Sequence, residues 1–206
     1  DGGAHGKVVA LKAHRDLNLW YRTGLPYDEI HPEDPNNVGV IARSETDGQE
    51  NMKAYKQIPD WKTHYPVAAY VSDLNDGNGN PGWYLPAIKE VQAMVGWIDG
   101  EVLSPDGEAG QEPSEAMKEK RKAINQLIVD NGGNEFYFYG YDVSFIIDQT
   151  NAWEADYFNR IYTSTETDYQ VHPMVFKFYL RNGWWENMHI YGDLASYGEI
   201  RPFLAF

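Results

Sequence analysis

The sequence predicts an α+β fold, and three observations carry that reading. Apolar residues at helical spacing are confined to the middle of the chain. Extended β-branched and aromatic runs lie toward both ends. The glycines and prolines, 19 and 11 of them, punctuate many turns. The 206 residues suit one large domain, taken as 1–206 with a long insertion at about 99–160. A chain of this length buries roughly two-thirds to three-quarters of its unfolded surface and needs no disulfide or metal to do so.

Residues 7–12 (KVVALK) follow a Gly-rich start and read as a strand. Between 13 and 65 the segment PYDEIHPEDPNN is a loop, 38–42 (VGVIA) is a candidate strand, and 48–58 is a short helix that stops before Pro59. In 66–74, Val67, Tyr70, Val71 and Leu74 fall at i, i+3, i+4 and i+7, one helix face, and Pro66 suits a first turn where its missing N–H is not needed. Residues 75–82 (NDGNGNPG) end that helix in a long turn.

The stretch 82–94 (GWYLPAIKEVQAM) organises the rest. Trp83-Tyr84-Leu85 favours extended backbone and Pro86 is placed in the first helical turn. Ile88, Val91, Val95 and Ile98, widened by Ala87 and Met94, form a stripe broad enough to be buried against a sheet. Residues 99–115 carry many carboxylates and no Lys or Arg, and read as an exposed acidic loop. A second amphipathic helix is expected from the N-cap Ser114, with Met117, Ile124, Leu127 and Ile128 inward and Gly132-Gly133 closing it. The remaining runs, FYFYGY (136–141), VSFII (143–147), IYTSTE (161–166), PMVFKFYL (173–180), WENMHI (185–190) and EIRPFLAF (199–206), are separated by turns such as Arg181-Asn182-Gly183, as in an antiparallel sheet.

Composition excludes several functions. The net charge of −14 repels phosphate backbones and disfavours nucleic acid, anionic membranes and sulphated polysaccharides. The absence of cysteine removes disulfides, thiolate zinc sites, cysteine nucleophiles and iron–sulfur ligation. No apolar run approaches the roughly 18 residues of a membrane span, so no membrane insertion of this segment is expected. There is no nucleophile elbow, phosphate loop or dinucleotide fingerprint, and His5, His14, His31, His64, His172 and His189 show no ligand spacing. Asp76-x-Asn78-x-Asn80 offers the oxygens of a calcium loop. Pro81 stands where that loop needs Gly, however, and Ala87 where it needs Glu, so the segment reads as an Asx-rich turn and no cofactor is expected. With 31 acidic residues, carboxylate pairs arise by chance and define no glycosidase dyad. Glu166 and Glu90 read as structural carboxylates, with Arg201 as a charge partner for either.

Three segments together, GWYLPAIKEVQ (82–92), IYTSTE (161–166) and IRPFLAF (200–206), resemble the C-terminal domain of collagen-like bacterial adhesins, a domain family of bacterial surface proteins; HGKVVAL (5–11) matches its opening strand. Thr163 stands where that family usually has Ser, and Tyr162 where it usually has Trp. The resemblance implies a C-type lectin-like fold, with a mixed or antiparallel sheet, two main helices at 66–74 and 86–98, long loop insertions, and 7–11 paired with 201–206. It is distantly similar to the formylglycine-generating enzyme, whose cysteine-dependent reaction this chain has no residues to perform. Glu112-Pro113-Ser114 only partly matches the calcium-and-sugar motif of C-type lectins, and Trp-Asn-Asp is missing.

The function expected is therefore a non-catalytic binding or adhesion module of a bacterial surface or secreted protein, its partner a glycan or a protein. The alternative is a structural or assembly domain of a fimbrial, fimbrillin-like or multidomain surface protein, and the third class is a hydrolase. No catalytic or metal residue is named. The candidate ligand surface is Tyr137, Tyr139, Tyr141, Trp153 and Tyr157, because aromatic faces stack on sugars and anchor protein interfaces. The start at Asp1-Gly2-Gly3, without an initiator Met or signal peptide, leads to the expectation of a trimmed N-terminus and of outer-membrane anchoring through a missing segment.

Overall fold

The computed structural model describes residues 6–15, 41–75, 82–100, 113–136, 160–166, 173–178, 185–189 and 198–205. Within these lie strands β1 (Lys7–Val9), β2 (Arg160–Glu166), β3 (Pro173–Phe178), β4 (Trp185–His189) and β5 (Phe203–Ala205). The helices are α1 (Gly48–Tyr55), α2 (Trp61–His64), α3 (Pro66–Asp73), α4 (Ile88–Asp99) and α5 (Glu115–Asp130). The class is α+β, with helices between an N-terminal strand and C-terminal strands.

β1 and β5 pair antiparallel, with Val8 opposite Leu204 and Val9 opposite Phe203. Tyr84 and Phe203 exchange N–H···O bonds, both 2.9 Å, on the other side of β5. β5 is thus held on both edges, while among the described residues β1 has a strand partner on one edge only. β2, β3 and β4 form a separate antiparallel ladder. The parallel bridge Ile161–Glu199 ties it to the chain just before β5.

The β2–β3 register is interrupted between Tyr162 and Glu166. There β2 bonds to loops instead: the Ser164 N–H donates to the Pro86 carbonyl at 2.7 Å and the Glu166 N–H to the Ala42 carbonyl at 2.8 Å. Thr163, Ser164, Thr165 and Glu166 are all buried. Their short polar side chains serve loop backbone that no regular ladder reaches.

Each helix has local causes. Asp47 caps α1 by accepting from the Glu50 N–H at 3.0 Å. The helix ends at Tyr55, short of Ile58. After Pro59, Asp60 takes a left-handed φ of 53° and the chain begins α2, a turn that spacing alone did not show. α3 starts at Pro66 as expected. α4 starts at Ile88, so Pro86 precedes the helix and is not part of its first turn. Its stripe is as expected: Ile88, Val91, Val95 and Ile98 are buried, each such side chain contributing about 1.5–3 kcal/mol. α5 is capped by Ser114 and closed by Gly132 at a φ of 76°.

Several expectations are corrected. Of the candidate strand 38–42, Ile41 and Ala42 lie in no strand, and 38–40 fall outside the described residues. The opening strand stops at Val9, before Leu11 and Lys12. Asp99 is not part of an exposed acidic loop: it closes α4, where Arg121 of α5 donates to both its oxygens at 2.7 Å in a fully buried fork. On α5 the buried residues are Arg121, Asn125 and Ile128. Ile124 and Met117 are half-buried, and Leu127 points outward with 58% of its surface exposed.

The Asp99–Arg121 pair joins α4 to α5. We expect Asp99→Ala to cost about 3–5 kcal/mol in urea unfolding, because it strands a buried guanidinium. Asp99→Ala combined with Arg121→Met should recover most of that loss; a double variant no more stable than the single would show that the pair is not what docks the helices.

Candidate functional site

Ala87, the N-cap of α4, has no side-chain oxygen to cap with. Other elements take over. Thr165 Oγ1 of β2 accepts from the Ile88 N–H at 3.1 Å, and the Glu45 carbonyl accepts from the Lys89 N–H at 2.8 Å. Glu90 Oε2 reaches back to the Ala87 N–H at 2.7 Å and also accepts from the Gly48 N–H at 3.0 Å. Glu90 Oε1 accepts from the Tyr84 hydroxyl at 2.8 Å and pairs with the Lys7 ammonium. Gly48 is required there, since a Cβ would collide with the Leu85 carbonyl and the Tyr84 ring.

A second buried cluster surrounds Arg201. Its guanidinium donates to Glu199 Oε1 at 3.0 Å, to the Asn134 carbonyl at 2.9 Å and to the Leu11 carbonyl at 3.1 Å, and it lies 3.9 Å from the Phe136 ring centre. Arg15 donates to Glu199 Oε2 at 3.0 Å from the opposite side. Arg201 is therefore the partner of Glu199, not of Glu90 or Glu166. Glu166 Oε2 accepts from the main-chain N–H groups of Ile41 at 3.0 Å and Ala42 at 3.3 Å, the structural use its sequence context suggested.

Between these clusters lies a groove of about 720 Å³, bounded by β1 and the residues after it on one side and by α4 and α5 on the other. That volume falls in the ~300–1,000 Å³ range of ligand clefts. Among the described residues the exposed large apolar residues are Val8, Leu11, Trp97 and Leu127, and all four contribute to the lining of this groove. Trp97 is 74% exposed. Met94 and Ile124 continue the lining inward. The end beyond Leu11 is closed by the chain leaving α5, where the Asn134 N–H donates to the Leu11 carbonyl at 3.0 Å.

The charged residues in the lining are Lys7, Lys89, Glu90 and Arg201. Glu90 and Arg201 are buried in the bonds just described. The Lys7 and Lys89 side chains are partly exposed at the rim, and both ammonium groups are paired, Lys7 with Glu90 and Lys89 with Glu45 at 2.7 Å. Glu90, the lone carboxylate of the lining among the described residues, has both oxygens taken by structural donors. Among the described residues no group of His, Asp and Glu is arranged to hold a metal. No helix of the described chain is long and apolar enough to cross a membrane.

Tyr137, Tyr139, Tyr141, Trp153 and Tyr157, named from the sequence as a ligand surface, lie outside the described residues, as do Asp76, Asn78 and Asn80. Trp97, Leu11, Val8 and the exposure of Leu127 were not anticipated. A signal was present: Ala93, Met94 and Trp97 form a second apolar line on α4, offset from the buried stripe, and Ile124 and Leu127 form its counterpart on α5. Compared with protein families, with curated proteins and with solved structures, the chain matches none.

Burial, reinforced by the Glu90 charge and the hydrogen bond to it, pushes the Tyr84 hydroxyl well above its ordinary value of 10.0. The unfolded chain ionises near 10 while the folded chain keeps the proton, so this contribution is complete below that pH and is lost as pH rises above it. Tyr84→Phe should flatten the alkaline fall in stability, measured as urea midpoint against pH. An unchanged slope would show that Tyr84 does not set it.

Proposed function

We propose that the chain is a non-catalytic binding module of a bacterial surface or secreted protein, with a C-type lectin-like arrangement, and that its partner is a polypeptide. The observation that carries this reading is that the exposed large apolar residues found among the described ones all contribute to the lining of one groove. Scattered apolar residues are ordinary on a surface; their collection in one concavity marks an interaction site. Apolar lining suits the side chains of a protein better than a glycan, whose hydroxyls need hydrogen-bond partners when water leaves. The non-catalytic part rests on Glu90, whose oxygens serve backbone, Tyr84 and Lys7 and are not presented to a substrate. Support for the fold reading comes from the β1–β5 pairing, the two helices at the resembling positions, and the buried Thr-Ser-Thr-Glu strand.

The assembly-domain reading draws on the same groove, with a neighbouring subunit as permanent occupant. A peptide array and a glycan array, each probed with and without calcium, decide between ligand classes. The expected result is calcium-independent binding to apolar peptides, weakened roughly tenfold or more by Trp97→Ala, as loss of an aromatic anchor does. The urea midpoint should stay unchanged in that variant, because Trp97 is largely exposed. Binding confined to glycans would overturn the proposal, and blank arrays would favour the assembly domain.

A further inference from the structure

The groove has one wall of an unusual kind. Among the described residues β1 presents an open strand edge to it, and the parity of the ladder says which groups that edge carries. The Ala10 N–H donates to the Pro202 carbonyl at 2.9 Å, so Val8 and Ala10 face β5. Phe203 turns its main-chain groups to Tyr84, again at 2.9 Å, so Val9, opposite Phe203, turns its own away from β5. The N–H and C=O groups of Lys7 and Val9 therefore point outward, and no partner takes them among the described residues. The edge ends at Leu11, whose carbonyl is taken by Asn134 and Arg201. The Lys7 and Val9 side chains face α4: Lys7 reaches Glu90, and Val9 packs on the core.

We infer that the groove takes its ligand by strand addition: an extended segment of a partner polypeptide pairs with the edge of β1 through Lys7 and Val9. Alternate side chains of that segment then drop toward Met94, Trp97 and Leu127. Main-chain bonds supply the register, and the apolar wall selects the inward side chains. At the rim Lys7 and Lys89 are each already ion-paired, with Glu90 and Glu45, so the rim offers no bare cation and the occupant is an apolar extended segment of a partner polypeptide, held by its main chain. A short edge bearing lysine also discourages pairing with a second copy of itself. This inference rests on the binding-module reading and adds the mode of recognition and the ligand chemistry.

The test uses the whole chain and a synthetic peptide of alternating valine and threonine with glutamate at both ends. Two comparators accompany it: a version N-methylated on its edge-facing amides, and an apolar fluorescent dye. Hydrogen exchange followed by NMR should show the Val9 and Lys7 amides slowing about tenfold or more on addition of the glutamate peptide, as newly paired edge amides do. The N-methylated peptide should not bind.

Val9→Pro should abolish binding. It removes one outward N–H at an edge position where proline is tolerated and leaves the β5 ladder intact. Should that variant fail to fold, the N-methyl comparison decides alone. Equal binding of parent and N-methylated peptides overturns strand addition but leaves the binding module standing. No peptide binding, with the dye still quenched by Trp97→Ala substitution, also overturns only strand addition. Neither peptide nor dye binding overturns both. Protection of Val9 that rises with protein concentration alone would assign the edge to a second copy and overturn the partner proposed.

Discussion

The carboxylate of Glu90 meets four donors from three stretches of chain: the Lys7 ammonium on β1, the Gly48 N–H that opens α1, and the Tyr84 hydroxyl and Ala87 N–H from the stretch ahead of α4. A buried carboxylate is tolerated only when its oxygens are satisfied, and satisfying these oxygens requires all three stretches to be in place. The geometry is restrictive. Gly48 has no room for a side chain, and Ala87 has no oxygen to cap its own helix, so α1, α4 and β1 settle together around one ion.

The same logic repeats at Arg201 and at the Asp99–Arg121 fork. Arg201 collects the carbonyls of Leu11 and Asn134 while Glu199 balances its charge. The fork locks α5 onto α4. Together the three clusters fix the walls of the groove: Glu90 sets β1 against the start of α4, the fork sets the angle of the two helices, and Arg201 closes the end. With its walls fixed by buried ions, the groove is free to be lined by side chains that contribute little to folding. That is why Trp97 and Leu127 can stand exposed.

Much of the fold was legible in the sequence. α3, α4 with its buried stripe and the caps of α5 follow from spacing and from residue chemistry; the pairing of β1 with β5 and the structural role of the Thr-Ser-Thr-Glu strand were implied only by the family resemblance. What was not legible depends on choice among partners. Arg201 has several carboxylates within reach of any guess, and only the tertiary arrangement selects Glu199. Asp99 sits in an acidic run that reads as solvated, yet Arg121, about two helical turns beyond the N-cap of another helix, draws it inward. Leu127 and Ile128 are adjacent and equally apolar, and period alone does not say which one the core takes. The candidate site suffered most. It is an offset apolar line on two helices plus a strand edge, and neither feature has a sequence motif of its own.

The antiparallel register of β1 and β5 also has a mechanical meaning. Lys7 lies beside Ala205, so the points at which the chain enters and leaves this pairing are neighbours. Tension applied between a point before Lys7 and a point after Ala205 pulls the two strands apart sideways. Their hydrogen bonds then open in turn, as in a zip, rather than sharing the load as bonds in shear do. The first element such a pull reaches is β1, which is both a wall of the groove and the donor of Lys7 to the Glu90 cluster. Stretching the chain at its ends and dismantling the groove are, in this architecture, the same event.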